Sequence, residues 1–204
     1  PLRGKHLRPV LALLSCEAVG GDWKGALPGA AALELLHNFS LIHDDIQDES
    51  PTRRGQPTVW WRWGAPQAIN AGDGMHALAR LALLELESRR AAAPLIVACG
   101  RLLDETCLAL CEGQYLDISF QGQERVTVAD YMEMIARKTA ALFGASLEMG
   151  ALLGGASART AARFRGAGRQ MGLAYQIRDD VLDLWGGPAL GKDHATDLRN
   201  KKKT

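Results

Sequence analysis

Two short runs of aspartate interrupt apolar helical sequence: "HDDIQD" at 43–48 and "RDDVLD" at 178–183. Each places its first and third acids four residues apart, so on a helix Asp44 and Asp48 share a face, as do Asp179 and Asp183. The flanking residues are apolar: "AALELLHNFSLI" precedes the first run, and Ile177, Val181 and Leu182 surround the second. A single acidic run reads most simply as a solvated helix end. Two Asp-Asp-x-x-Asp copies, each inside an apolar helix, demand more: if the helices face each other, they wall a cavity with carboxylates. Like charge at this density needs cations, and clustered carboxylate oxygens suit a hard divalent ion such as Mg²⁺ with phosphates completing its shell.

The rest of the chain is helical in period. Apolar residues recur at helical spacing in 27–50, 65–90, 94–120, 128–155 and 158–186. "PTRRGQPT" reads as a loop. Thr127 with Asp130 resembles a capped helix start, and Ser157 could cap the last helix. No strand-type alternation stands out and no linker divides the 204 residues, so we expect one all-α domain over 1–204, a bundle of long helices.

Composition excludes several classes. Hydrophobic residues make up 47% and charged residues 23%, which suits a globular domain. A net charge of +1 gives no field for nucleic acid or an acidic membrane surface. No apolar run reaches the ~18 residues of a membrane span. Cys16, Cys99, Cys107 and Cys111 form no CxxC pair, and they read as reduced, mostly buried thiols of a cytoplasmic protein. The chain starts at Pro1 without a methionine and ends in "RNKKKT"; both ends are expected to be cut or disordered.

Basic residues supply a counterpart to the acids. Arg53 and Arg54 follow the first run within a short loop, Lys5 and Arg8 lie in "GKHLRP", Lys138 precedes Thr139, and Lys192 and Lys202 lie near the end. Each alone reads as surface charge. Beside two metal-type motifs they point to diphosphate substrates. Trp60, Trp61 and Trp63 read as core or subunit packing, and the glycines of "GDGMH" as close helix packing, since no P-loop Lys-Ser/Thr follows.

At this point the sequence resembles the trans-type polyprenyl diphosphate synthases, closest in pattern to the short-chain members. The likeness runs in order through "GKHLRP", "HNFSLIHDDIQDESPTRRGQPT", "NAGD", "EGQYLD", "KTAALF", "QIRDDVLDLWG" and "GKDHATDLRNKKKT". One departure is Lys201, where the family often has glycine before the lysine. The family's chain usually continues past Thr204, so its last helices are expected to be absent here.

The resemblance implies an isoprenoid-synthase bundle and a site with three Mg²⁺ ions, two held by Asp44 and Asp48 and the third by Asp179. Asp45, Asp180 and Asp183 would act from behind or through water. Arg53, Lys138, Lys192 and Lys202 would grip an allylic diphosphate, and Lys5, Arg8, His37 and Arg54 isopentenyl diphosphate. Thr139 and Gln176 would stabilise an allylic cation. The same likeness implies a homodimer.

Phe39 and Ser40, just before the first motif, would set product length, although Phe39 reads equally as core packing. "DDIQD" lacks the two residues that bacterial farnesyl synthases usually insert, which favours a C20 product over C15. A terpene cyclase would need a different second motif and no isopentenyl site. A non-catalytic subunit would be expected to lack motif aspartates, and all six are present here.

Overall fold

The computed structural model describes residues 5–185. Helices α1 (Leu7–Ala18), α2 (Trp23–Gln47), α3 (Val59–Trp63), α4 (Ala65–Leu84), α5 (Ala93–Gln121), α6 (Val128–Ile135), α7 (Ala141–Leu153) and α8 (Ala158–Trp185) carry the fold. A five-residue π-helical turn, Ala136–Ala140, joins α6 to α7. The all-α expectation holds. Among the described residues, no helix is long and apolar enough to cross a membrane.

Several boundaries follow from local chemistry. Thr127 and Asp130 form the expected capping box, each side chain accepting from the other's backbone N–H. Ser157 Oγ accepts from Thr160 N at 3.2 Å. Helix α2 begins earlier than its proline suggests. Asp22 caps it by accepting from Lys24 N, and Pro28 lies inside the helix rather than at its start. The loop assignment of "PTRRGQPT" is refined: Thr52–Arg53 (β1) pairs antiparallel with Gln56–Pro57 (β2). Its turn residues, Arg54 and Gly55, both have positive φ (54° and 72°), as a tight hairpin turn with right-handed twist requires.

The core lies between α1, α2, α4, α5 and α7, around Leu33, Leu36, Leu83, Leu103, Leu142 and Met149. A smaller cluster of Phe120, Met134 and Ile135 sits at the other end of α5. Two sequence expectations are narrowed. Trp61 and Trp63 are exposed in the single chain, which leaves subunit packing and not core packing for them; the Trp60 indole N–H donates to Ser50 O at 2.7 Å. Of the "GDGMH" glycines, Gly72 is closely packed, but Gly74 faces open space.

Candidate active site

The first motif forms the last turn of α2. Asp44 and Asp45 are helical, and Asp48 caps the end with its N–H donating to Asp44 O at 2.8 Å. Three carboxylates therefore gather at the negative end of a helix dipole, the less favourable end for them. The protein partly offsets this itself. Arg53, swung back by the hairpin, donates from Nε to Asp45 at 2.7 Å and from Nη2 to Asp44 at 3.0 Å. Lys138 Nζ lies 3.2 Å from Asp44 and donates to Asp117. Burial pushes the Asp45 carboxyl up, and Arg53 opposes that shift.

Lys138 and Thr139 both belong to the π turn. The wider turn breaks the ordinary helical register there, as π segments at functional sites commonly do. Thr139 Oγ1 donates to Gln176 Oε1 at 2.6 Å, and Gln176 Nε2 donates to Asp180 at 2.7 Å. Tyr131 O–H donates to the other Asp180 oxygen at 2.5 Å. The second motif is thus wired to the π turn through α8. Asp180 and Asp183 are buried, and burial raises the Asp180 carboxyl.

A second set of basic groups gathers around His37, near enough to Arg53 and Asp44 for both charges to act on that imidazole. Arg8 Nη1 lies 3.0 Å from His37 Nε2, and its guanidinium stacks over the Phe143 ring at 4.9 Å. Burial lowers Arg8 to about 10, and its buried Nε has no hydrogen-bond partner among the described residues. Burial, then the Arg8 and Arg54 charges, push His37 down to about 2, so its imidazole is neutral. A neutral ring accepting from Arg8 at Nε2 carries its proton on Nδ1. Arg54 itself is exposed but close enough to act on both groups.

The structure thus gathers Asp44, Asp45, Arg53 and Lys138 into one cluster, Thr139, Gln176 and Asp180 into a second, and Arg8, His37 and Arg54 into a third. Asp179 and Asp183 lie beside Asp180 on the last turns of α8. Lys5 is exposed at the chain's described start, Ser40 Oγ bonds back to His37 O, and Phe39 is half-buried beside His43. Lys192 and Lys202 fall outside the described residues.

Sequence reasoning missed Asp117 and Tyr131. Asp117 was readable: Leu103, Thr106, Leu110, Gly113, Asp117 and Phe120 form one inward stripe of α5, with an acid where an apolar residue belongs. Tyr131 carries no such signal, since its partner lies 49 residues away.

The donor set is carboxylate oxygen throughout, which fits a hard divalent cation. Among the described residues, no three metal-ligating groups converge to hold an ion by themselves. Carboxylates in this number can hold Mg²⁺, which is ordinarily bound by one or two of them together with substrate phosphates. The orphaned, buried Arg8 Nε likewise suits an anion.

Comparison with known proteins agrees with this geometry. The family model described as polyprenyl synthetase matches residues 2–204. The chain is 43% identical to geranylgeranyl diphosphate synthase of Methanosarcina mazei over 202 residues, 98% of this chain and 61% of that protein. It is also 43% identical to (2E,6E)-farnesyl diphosphate synthase of Mycobacterium tuberculosis, covering 98% of this chain and 55% of that one. A polyprenyl synthase from Caulobacter crescentus, solved with calcium and isoprenyl diphosphate, superposes with a TM-score of 0.86 at 33% identity, over 98% of this chain and 59% of that one. The chain spans roughly three-fifths of the length of the curated relatives it matches. A helical bundle of this shape, carrying two aspartate-rich motifs in family order, leaves one assignment: the chain belongs to the polyprenyl synthetase family.

Proposed function

We infer that the protein containing this chain joins isopentenyl diphosphate to an allylic diphosphate, head to tail, with magnesium, and stops at a short prenyl chain. One observation carries this reading. Two sets of cations would serve two diphosphates: Arg53 and Lys138 beside the motif acid Asp44, and Arg8 beside His37 with Arg54 near both. A reaction that ionises one diphosphate and merely holds the other needs that asymmetry.

Magnesium, when bound, neutralises diphosphate charge and makes the group easier to expel. Asp44, Asp48 and Asp179 would hold it, with Asp45 oriented behind them by Arg53, Asp180 by Tyr131 and Gln176, and Asp183 acting from behind by the family pattern. Arg53 and Lys138 donate to the leaving oxygens as the C–O bond breaks, a charge-assisted contact that strengthens with the developing charge. Lys192 and Lys202 belong with them by the family pattern. Thr139 directs its O–H at Gln176, which leaves the hydroxyl lone pairs for the allylic cation. Arg8, Arg54 and the Nδ1–H of His37 fix the second diphosphate, with Lys5 at the rim. The isopentenyl double bond attacks, and the departed diphosphate takes the released proton, so no protein base is required. Apolar helix faces keep water from the cation.

Phe39 lies five residues before Asp44, about 7–8 Å deeper along α2 at ~1.5 Å per residue, where it would floor the tunnel beside the small Ser40. We assign C20 as the product, with C15 the second reading, since relatives making each are equally similar. The test offers the protein Mg²⁺ and isopentenyl diphosphate with C5, C10 or C15 allylic diphosphate, and reads products by mass spectrometry. Elongation to C20, abolished by EDTA and restored by Mg²⁺, is expected. A C15 stop corrects the length alone, and folded protein that elongates no primer overturns the reaction.

A second copy is the proposed partner. The outer faces of α4 and α5 leave Leu78, Leu81, Leu84, Val97, Leu108 and Tyr115 exposed, each at least 50% accessible. An Arg80–Asp104 ion pair joins the two helices. Apolar exposure along two neighbouring helices on this scale marks an association surface. Sedimentation is expected to give a dimer, and Leu81→Glu to shift it towards monomer; a wild-type monomer at micromolar concentration sinks this assignment.

A further inference from the structure

We propose that Asp180 acts through Gln176: it fixes which end of that amide faces Thr139, and so which end of the Thr139 hydroxyl faces the allylic cation. This rests on the prenyl-elongation reading above. Four side chains from α6, the π turn and α8 form one chain of hydrogen bonds. Tyr131 donates its O–H to Asp180 Oδ2 at 2.5 Å, Gln176 Nε2 donates to Asp180 Oδ1 at 2.7 Å, and Thr139 Oγ1 donates to Gln176 Oε1 at 2.6 Å. Gln176 and Asp180 lie one turn apart on α8, where side chains four residues apart meet. One turn earlier α8 closes on the π turn: a Cβ at Gly172 would lie 2.6 Å from Ala140 Cα. That close approach brings Gln176 within reach of Thr139.

The direction of the chain follows from its acid. A carboxylate only accepts, whereas an amide has one donating and one accepting end. Asp180 is buried with both oxygens engaged, so it holds the Gln176 N–H₂ and leaves Oε1 for Thr139. The buried Thr139 hydroxyl then gives its one proton to Oε1, and its lone pairs are left for the cation. A turned amide would reverse this. Oε1 would stand against an Asp180 oxygen, and Nε2 would donate to Thr139 Oγ1, whose own proton would then point outward. The positive end of the hydroxyl would face a positive intermediate. Fixed dipoles aimed at developing charge count most in a site that excludes water, and their sign decides whether they help. Asp180 is thus a positioning residue for the cation, acting through the amide rather than on an ion.

The experiment compares the protein containing this chain as wild type, as Asp180→Asn, and as the exchange variant Asp180→Asn with Gln176→Glu. Asp180→Asn leaves one accepting oxygen for two donors. When that oxygen takes the Tyr131 O–H, the new N–H₂ faces Gln176 and turns its amide round. The exchange moves the carboxylate to 176 and the amide to 180, so an acceptor faces Thr139 again and the charge of the pair is unchanged. Two quantities are read. The first is kcat against KM for the allylic diphosphate. The second is the calorimetric preference for a prenyl tertiary ammonium, which copies the cation, over its uncharged carbon isostere, each with Mg²⁺ and inorganic pyrophosphate. Asp180→Asn is expected to lower kcat about 10²-fold, to leave KM within about threefold, and to lower the ammonium preference about tenfold. The exchange variant is expected to regain most of both losses. The preference is a ratio, which a partial loss of folded protein does not move. An exchange variant as impaired as Asp180→Asn overturns the proposal, because a carboxylate is then needed at 180 itself, as a role behind the ions requires. An undiminished preference in Asp180→Asn also overturns it, and both results leave the synthase reading intact. A wild type that elongates nothing removes the reaction itself, and the proposal with it.

Discussion

Lys138→Ala is expected to lower turnover about 10²–10³-fold and to destabilise the fold by about 3 kcal/mol. The two losses have different origins. Turnover falls because Lys138 Nζ stands 3.2 Å from Asp44, where charge develops on the leaving diphosphate in the proposed reaction. Stability falls because the same ammonium pairs with Asp117, whose residue is only 4% exposed on the inward stripe of α5. Deleting one member of a buried pair takes the nearby ammonium from a buried carboxylate, which costs more than the pair itself contributed. A double variant separates the effects. Adding Asp117→Asn removes the buried charge, so urea denaturation should recover part of the lost stability. Turnover should not recover, because the ammonium is still missing. Full stability in Lys138→Ala would show that Asp117 does not depend on it, and full turnover would remove Lys138 from the chemistry.

The aspartate motifs were legible because their information is local. Four-residue spacing within one helix suffices to place Asp44 and Asp48 on a common face, and the structure keeps it even though α2 ends at Gln47. The partners of those acids were not legible in the same way. Arg53 reaches back to Asp44 and Asp45 only because Arg54 and Gly55 turn a two-residue hairpin. The motif "TRRG" reads as a loop, and the hairpin comes from strand twist. Helix α2 starts at Trp23 because the Asp22 cap and the packing of its buried face outweigh one backbone bond lost at Pro28. The π turn is the least local feature. "ARKTA" has ordinary helical composition, and the register changes where α5 presses against it. Asp117 should have been read, since an acid on an otherwise apolar stripe is a burial conflict visible in sequence.

Gly113→Ala is expected to be the most damaging single methyl group at the site. A Cβ at Gly113 would lie 2.2 Å from Lys138 N, 2.6 Å from Lys138 Cα and 2.8 Å from Arg137 C. All three are backbone atoms, so no side-chain rotation relieves the clash. Either α5 or the π turn must move by about an ångström, and overpacking of this kind costs about 1–3 kcal/mol. The catalytic loss should be larger than the stability loss suggests. The displaced atoms carry Lys138 and adjoin Thr139, and a misplacement of about 1 Å can cost 10²-fold in rate. Gly74→Ala is the matched control. It too lies within a helix, but nothing stands within 4 Å of its added Cβ. There the usual helix preference for alanine applies, a gain of about 0.5–1 kcal/mol. Urea midpoints and initial rates for both variants decide the matter. A Gly113→Ala protein as stable and active as Gly74→Ala would mean that the α5 contact does not shape the π turn, and that the turn's register is written into residues 136–140 alone.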